Sequence, residues 1–307
     1  CRIRVLPPLT KTTVTANTSN TGSPADTEEL SISSEQTATD AQSFFNTGST
    51  TPVPKESAIP ADGPEDTTNP DDESSDSVLT TTDIPDTALY ARILNTCDNN
   101  GDGMIQKSEA ESIITLELNS NFQVKDFTGI EYLKNLQNLW IYYLFDGEAD
   151  EKSTVLTQLT EKLSGMEHLN TLSFPDDTIV TQDAANFLYT MHLQTLLGVL
   201  TDDADMLYPK DTTGKPLFDS LQELSITVNG ELSLSGLTAF KNLSHLSITL
   251  NNNATFGSDL KALSSFKNLE SFSMWADLSG FTIDTSDCGS LTSLELYNLH
   301  TTNRNFP

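Results

Sequence analysis

The most regular feature of the chain is an alternation of apolar and polar residues along its C-terminal two thirds. Eight segments fit the pattern L-x-x-L-x-L, and their first apolar residues are Ile113, Leu136, Leu169, Leu193, Leu221, Leu243, Leu269 and Leu291. Alternation of this kind predicts short β-strands with one apolar face. The segment that starts at Leu193 leaves its register open, because Gly198 stands where the pattern needs an apolar residue.

The spacing of these segments predicts a repeat architecture. Successive first residues lie 23, 33, 24, 28, 22, 26 and 22 positions apart, and most of these spacings fall in the window of about 20–29 residues that is typical of leucine-rich repeats. The two widest gaps leave room for insertions around residues 146–165 and 201–216. A single strand cannot bury its own apolar face, whereas a stack of repeats shares one core.

The segments between the strands complete the predicted architecture. FTGIEYLKN, LSGLTAFKN and LKALSSFKN carry an apolar residue every three or four positions, which favours short helices. We therefore predict an α/β leucine-rich repeat solenoid over residues 113–307, with about eight repeats and a parallel sheet on its concave face.

Residues 83–112 have the pattern of a helix followed by a metal-binding loop. Pro85 and the apolar face of Leu89 and Ile93 predict a helix from about Asp86 to Thr96. The next stretch, CDNNGDGMIQKSEA, matches the EF-hand pattern D-x-[DN]-x-[DN]-G with an acid at position twelve. The predicted calcium ligands are Asp98, Asn100, Asp102, Met104 (through its backbone carbonyl), Gln106 and Glu109.

This stretch suits calcium as a cofactor, because calcium takes about six to eight oxygen ligands and needs a sharply bent loop. Gly103 permits the bend, and Ile105 would tie the loop to the core. A solvated acidic turn is the alternative interpretation. The loop is single, whereas sensor EF-hands work in pairs. We therefore predict a structural ion, with the helix and the loop together capping the open N-terminal end of the solenoid.

The first 82 residues are dense in Thr, Ser, Pro, Asp and Glu, and their only aromatic residues are Phe44 and Phe45. Such a composition predicts a disordered, extended tether. The chain begins with Cys1, and a cysteine followed by a polar tail is how a bacterial lipoprotein looks after signal-peptide removal. This predicts a lipid anchor at Cys1 and a place on the outer surface of a bacterial cell. An arbitrary fragment boundary is the alternative.

The charge of the chain limits its partners. Lys and Arg number 16 against 44 Asp and Glu, so the net charge is −28. A surface this acidic repels nucleic acid and anionic lipid heads, which leaves membrane contact only through the lipid anchor. No run approaches the ~20 apolar residues that span a bilayer. Three cysteines do not make a disulfide framework, although one bridge between Cys97 and Cys288 is conceivable. We expect a monomer.

Aromatic side chains stand at strand positions that point out of the core, among many Ser and Thr. The predicted ligand-binding residues are Trp140, Tyr142, His245, Trp275 and Tyr297. Exposed aromatic residues often mark binding surfaces. The two tryptophans are five repeats apart, about 24 Å at strand spacing, which allows two separate patches. The alternative is that both tryptophans cover the ends of the core or contact loops.

Two stretches, FTGIEYLKNLQNLWI and LSGLTAFKNLSHLSI, resemble the short-repeat leucine-rich proteins of bacterial surfaces and are similar to internalins. The stretch IPDTALYARILNTCDNNGDGMIQKSEAESIITLEL resembles the calcium-loop module that often precedes such repeats in secreted bacterial proteins. The resemblance extends from about residue 83 to the C-terminus. It implies recognition of a protein or a glycan and not catalysis.

Motifs of common enzymes are missing from the sequence. The four histidines show no H-E-x-x-H spacing, and the chain has no G-x-S-x-G, P-loop or G-x-G-x-x-G motif. We therefore predict that the protein is not an enzyme but a surface-anchored recognition or adhesion protein that binds through its concave face. An accessory or scaffold domain of a longer secreted protein is the alternative.

Overall fold

The computed structural model describes residues 13–15, 76–251, 254–256, 260–276, 282–284 and 288–298. Strand β1 (Thr13–Thr15) pairs antiparallel with strand β13 (Thr282–Asp284). The rest of the predicted tether up to residue 75, together with the predicted lipid anchor at Cys1, lies outside the described residues.

The chain forms regular structure shortly before residue 82, the predicted end of the tether. Strand β2 (Val78–Leu79) pairs antiparallel with strand β3 (Ile105–Gln106), so the folded part of the chain begins before residue 83. Leu79 and Ile105, which lie opposite each other, are both buried. Two apolar residues after a long polar run are too few to show a period, and this is why the pattern did not reveal the strand.

Eight strands form one sheet in the order of their repeats, and every neighbouring pair is parallel. They are β4 (Thr115–Leu118), β5 (Asn138–Ile141), β6 (Thr171–Ser173), β7 (Thr195–Thr201), β8 (Glu223–Val228), β10 (His245–Leu250), β12 (Ser271–Ala276) and β14 (Ser293–Asn298). Two further strands, β9 (Glu231–Leu232) and β11 (Thr255–Phe256), pair with each other. The predicted α/β leucine-rich repeat solenoid is confirmed.

The alternation read from the sequence decides which face of the sheet is buried. The first apolar residue of all eight segments is buried, and along β8, β10 and β12 buried residues alternate with exposed or half-buried ones. Burying a leucine or isoleucine side chain contributes about 1.5–3 kcal/mol, so the stacked apolar faces hold the repeats together. The opposite face, called the concave face below, carries the polar and aromatic positions of the repeat.

Side chains just before the first leucine of a repeat tie it to the preceding repeat. In each case the side chain donates a hydrogen bond to a carbonyl oxygen two residues before the preceding repeat's first apolar residue. The pairs are Asn135–Glu111, Asn242–Asp219, Asn268–Lys241 and Ser290–Lys267, at 2.8, 2.6, 2.9 and 2.9 Å. These bonds satisfy carbonyl groups that the strand ladder does not reach.

Gly198 resolves the register that the sequence left open. The pairing of β7 with β8 follows the repeat up to Leu196 and then shifts, resuming at Val199. Gly198 has a φ of 68°, and a Cβ atom there would lie 2.1 Å from the carbonyl oxygen of Phe174. A residue with a side chain does not fit this close approach, so the glycine marks a β-bulge.

The links between strands contain the predicted short helices. The α-helices are α1 (Thr87–Cys97), α2 (Lys107–Glu111), α3 (Ala149–Leu163), α4 (Gln182–Leu188), α5 (Leu217–Ser220) and α6 (Leu234–Leu237), and the 3-10 helices are Ile130–Tyr132, Ala204–Leu207 and Leu260–Ser265. The first predicted insertion is α3, which packs against α4. Among the helices described, none has the length and apolar character needed to cross a bilayer.

The two cysteines in the described part of the chain are Cys97 and Cys288. Both are buried, and they are not joined to each other. The single bridge that the sequence allowed is therefore not formed.

Candidate functional site

The acidic loop between α1 and α2 is folded by hydrogen bonds from its backbone amides to its own side chains. The Asp98 carboxylate accepts from the amide of Gly101 at 2.7 Å and from that of Gly103 at 3.1 Å. The two glycines have φ angles of 75° and 76°, and nothing lies close to where a Cβ atom would stand. Their role is therefore conformational, since residues with a Cβ rarely adopt positive φ.

Asp102 joins both halves of the loop. Its Oδ1 accepts from the amide of Met104 at 2.8 Å, and its Oδ2 accepts from the side-chain amides of Gln106 at 2.7 Å and Asn100 at 3.1 Å. These bonds, that from the Met104 amide foremost, lower the pKa of Asp102 below its ordinary value. The carboxylate is thus held charged at the place that the EF-hand pattern assigns to a calcium ligand.

Glu109 closes the loop from its far end. Its carboxylate accepts from the amide of Asn99 at 3.3 Å and from the amide of Gln106 at 3.2 Å. The second bond is half of a capping box at the N-terminus of α2. The same residue therefore starts the helix and connects the two ends of the loop.

Five of the six predicted calcium ligands lie between α1 and α2, and Glu109 lies in the first turn of α2. All six offer the oxygen atoms that calcium prefers. Among the residues that the structure describes, no three His, Cys, Asp or Glu side chains are close enough together to hold a metal ion. The carboxylates of Asp98, Asp102 and Glu109 are instead each engaged with amides of the loop. The residues fit calcium in kind and in order, and calcium binding stays a prediction.

A segment that the sequence pattern does not predict holds this loop against the body of the protein. The buried Ile105, predicted to tie the loop to the core, is the residue that pairs with Leu79 of β2. The Asp76 carboxylate accepts from the amide of Ser108 at 3.2 Å, and the Ser77 carbonyl accepts from the amide of Lys107 at 2.9 Å. Residues 76–79 thus brace the exit of the loop and the start of α2.

Cys97 is the last residue of α1 and lies directly before the loop. Burial raises the pKa of its thiol to about 11, and the nearby charges of Glu109 and Asp98 act in the same direction. A thiol that is protonated at neutral pH is a poor nucleophile. Cys97 is therefore a packing residue of the cap.

The concave face is in strict register over its C-terminal half. One row across β8, β10, β12 and β14 consists of Glu223, His245, Ser271 and Ser293. The next two rows are Ser225, Ser247, Ser273 and Glu295, followed by Thr227, Thr249, Trp275 and Tyr297. All of these side chains are exposed or half-buried. Twelve positions on four strands thus form one surface of hydroxyl, acidic and aromatic groups.

Trp275 and Tyr297 form a stacked pair on this surface. Their ring centroids are 4.5 Å apart and their planes differ by 6°. The two residues occupy the same position of successive repeats, and their Cα atoms are partners in the ladder. The Tyr297 hydroxyl donates to Glu295 Oε2 at 2.8 Å. The equal position in both repeats is the signal in the sequence that places the two side chains next to each other on neighbouring strands.

Trp140 and Tyr142 form a second pair near the N-terminal end of the sheet. Their centroids are 6.3 Å apart with planes 15° from parallel. Tyr142 is 58% exposed, the largest exposed fraction among the large hydrophobic and aromatic side chains of the described residues. Trp140 lies between Glu117 and Ser173 in the register of the sheet.

The structure therefore divides the predicted ligand-binding residues into two groups. Trp140 and Tyr142 lie on and directly after β5, whereas Trp275 and Tyr297 lie on β12 and β14. Five strand spacings separate β5 from β12, about 24 Å. His245 is exposed between the two pairs, and its Nδ1 lies 2.9 Å from the Ser244 hydroxyl.

Comparison with known proteins gives similarity in structure. No protein-family model matches the chain, and no curated protein matches it. An internalin C2 of Listeria monocytogenes is similar at 19% identity and a TM-score of 0.45, over 70% of this chain and 95% of that chain. An internalin F of the same organism is similar at 19% identity and a TM-score of 0.43, over 71% of this chain and 64% of that chain. At this level of identity the likeness concerns the fold and not the function.

Proposed function

We propose that this protein recognises another macromolecule through the concave face of its repeat sheet and that it acts by binding and not by catalysis. The observation that supports this most is the half-buried aromatic stack of Trp275 on Tyr297, which lies on a surface of polar side chains in strict register. Aromatic side chains that remain accessible on a rigid surface supply most of the energy of many interfaces.

The surface also has the properties that recognition needs. It lies on strands whose backbone is held by the ladder, on both sides for all but the end strands β4 and β14 of the described sheet, so little conformational entropy is lost on binding. Its Ser and Thr side chains donate and accept hydrogen bonds. The second pair, Trp140 with the exposed Tyr142, gives the face a further patch at the other end of the sheet.

The proposal includes a structural calcium ion in the N-terminal cap. Asp98, Asn100, Asp102, Gln106 and Glu109 would hold it through side-chain oxygens, and the carbonyl of Met104 would complete the set. Bound there, the ion would offset two of the three negative charges of Asp98, Asp102 and Glu109. The loop is joined to β2 and to α2, so its stability decides how firmly the first repeat is covered.

Binding through the concave face is tested by two tryptophan substitutions in the full chain. Trp275→Ala and Trp140→Ala are immobilised beside the unaltered protein and exposed to an extract of cell-surface proteins and glycans. Tyr90→Ala, which removes a partly buried aromatic of α1, is the matched control. We expect the tryptophan variants to lose captured molecules that the control retains, with melting temperatures that stay close to that of the unaltered chain.

Two results would contradict the proposal. Capture that is equal in all four proteins would place recognition elsewhere on the chain. A large fall in melting temperature for both tryptophan variants would instead support the interpretation that these residues cover the core.

A further inference from the structure

A shallow depression lies in the middle of the C-terminal half of the concave face. It has a volume of about 140 Å³ and spans three strands, β8, β10 and β12. Its polar lining consists of Glu223, Ser225, His245, Ser247, Ser271 and Ser273. A cavity of roughly 150 Å³ can hold a molecule of the size of benzene, so the depression has room for one side chain of a partner.

Glu223 is the acidic residue in the lining of this depression. It is exposed, and its Oε2 lies 3.5 Å from the hydroxyl of Thr195 on the neighbouring strand. The other polar groups are four serine hydroxyls and the imidazole of His245. A carboxylate among hydroxyl groups on a rigid sheet offers a charge and several hydrogen-bond acceptors to a cationic side chain.

The charge of the whole face agrees with that of the depression. The eight strands of the sheet contain Glu117, Glu223 and Glu295 but no lysine or arginine. The chain as a whole carries a net charge of −28. A partner that lies on this face would therefore meet a net negative charge, which steers basic surfaces toward it and repels acidic ones.

The stacked aromatic pair extends the preference for a cationic partner group toward the edge of the sheet. Glu295 on β14 is three strand spacings from Glu223 on β8, about 14 Å, and it bonds the hydroxyl of Tyr297. Trp275 and Tyr297 beside it offer ring faces of the kind on which a guanidinium or ammonium group is stabilised. Two acidic positions and one aromatic stack thus line the same stretch of the face.

We infer that the depression at Glu223 receives a lysine or arginine side chain of a basic protein partner. The inference rests on the proposed function of the concave face and adds the chemical class of the partner. A glycan would use the hydroxyl groups and the aromatic rings but gains nothing from the excess of negative charge. Charge complementarity therefore favours a basic protein surface over a sugar.

The test uses a phage library of random linear peptides, panned against the full chain. We expect the selected peptides to be enriched in lysine and arginine. Glu223→Gln should weaken the binding of a selected synthetic peptide about tenfold, because a hydrogen bond to a charged group is lost. Raising NaCl to about 0.5 M should also weaken it, since salt screens exposed charges. Glu167→Gln, which removes an equal charge from an exposed turn, should leave the affinity unchanged.

The outcomes separate this inference from the proposed function. Peptides without basic enrichment that still lose binding in Trp275→Ala or Trp140→Ala would overturn the inference and leave the proposed function standing. So would a glycan array in which binding is lost in Trp275→Ala while the peptide library yields no binder. Peptides that bind equally to all the concave-face variants would overturn both.

Discussion

The carboxylate of Asp86 and the backbone amide of Lys125 are joined by a hydrogen bond of 2.8 Å across 39 residues of chain. The same Oδ2 atom accepts from the amide of Asp126 at 3.1 Å, while Oδ1 caps helix α1 through the amides of Ala88 and Leu89 at 2.9 and 3.0 Å. One side chain thus connects the start of the cap helix with the loop that leads into the second repeat.

Replacing Asp86 tests this connection. Asp86→Ala removes the N-cap and leaves the amides of the loop without their acceptor, so we expect a loss of about 2 kcal/mol in the free energy of unfolding. Asp86→Asn can still cap α1 with its one side-chain carbonyl oxygen, so we expect it to lose less stability than Asp86→Ala. Urea denaturation of the unaltered chain and the two variants measures their order of stability. Equal stability of the asparagine and alanine variants would show that only the carboxylate charge matters.

Acid sensitivity of the turn between β2 and α1 follows from Asp83. Its Oδ2 accepts from the amide and the hydroxyl of Thr80 at 2.8 and 3.0 Å, and these bonds, that from the amide foremost, lower the pKa of Asp83 below 3.8. A pKa that is lower in the folded than in the unfolded state stabilises the fold fully above the unfolded value, and this contribution disappears as the pH falls through the folded value.

We therefore expect Asp83→Asn to flatten the dependence of stability on pH below about 4, because the titrating group is gone. Denaturation curves between pH 3 and pH 7 measure this slope. Asp176→Asn removes an equal charge from an exposed loop and serves as the control. A slope that is unchanged by Asp83→Asn, or changed equally by the control, would show that the turn is not what responds to acid.

The bulge at Gly198 gives a prediction with a control inside the same chain. Gly198 and Gly214 have nearly equal φ angles of 68° and 69°, but only Gly198 has a backbone carbonyl 2.1 Å from where a Cβ atom would stand. Gly214→Ala should therefore lose about 1–2 kcal/mol through conformational strain alone. Gly198→Ala adds a clash inside the sheet and should lower the free energy of unfolding by about 2–5 kcal/mol. Thermal melting of both variants compares them directly, and equal losses would contradict the close approach to Phe174.

Calcium in the cap should be visible in thermal melting. Extracellular EF-hand-type sites have Kd of about 10⁻⁴–10⁻³ M. Calcium at about ten times Kd would stabilise the fold by roughly 1.4 kcal/mol, which is a rise of about 3–6 °C in Tm for a domain of this size. The rise should reverse with a chelator and be absent in Glu109→Gln. Glu167→Gln, outside the loop, should retain it. Equal Tm with calcium and with chelator would support the interpretation of a solvated acidic turn.

The sequence was sufficient for the fold because the apolar pattern repeats. Every first residue from Ile113 to Leu291 is buried as predicted, since a repeat that is too short to bury its own face leaves few other arrangements. The pairing of Val78 and Leu79 with the loop was not predictable, because two residues show no period. The double role of Asp86 was equally hidden, because its second pair of partners lies 39 and 40 residues away.

The candidate sites could be predicted in composition but not in arrangement. The residue types and spacing of the loop ligands and of the aromatic positions can be recognised in the sequence. The structure has the first set at the loop and the second on the strands. The stack of Trp275 on Tyr297 depends on side-chain rotamers, which a pattern of strands does not specify. The depression at Glu223 depends on the small size of the four serines around it, on three different strands.

The brace formed by residues 76–79 also has a mechanical consequence for the folded repeats. A pull applied to the chain directly before Asp76 is carried first by the two-residue pairing of β2 with β3 and by the bonds to Lys107 and Ser108. These few bonds would be loaded before the parallel ladder of the repeats. We therefore expect the cap to open before the strands of the concave face separate.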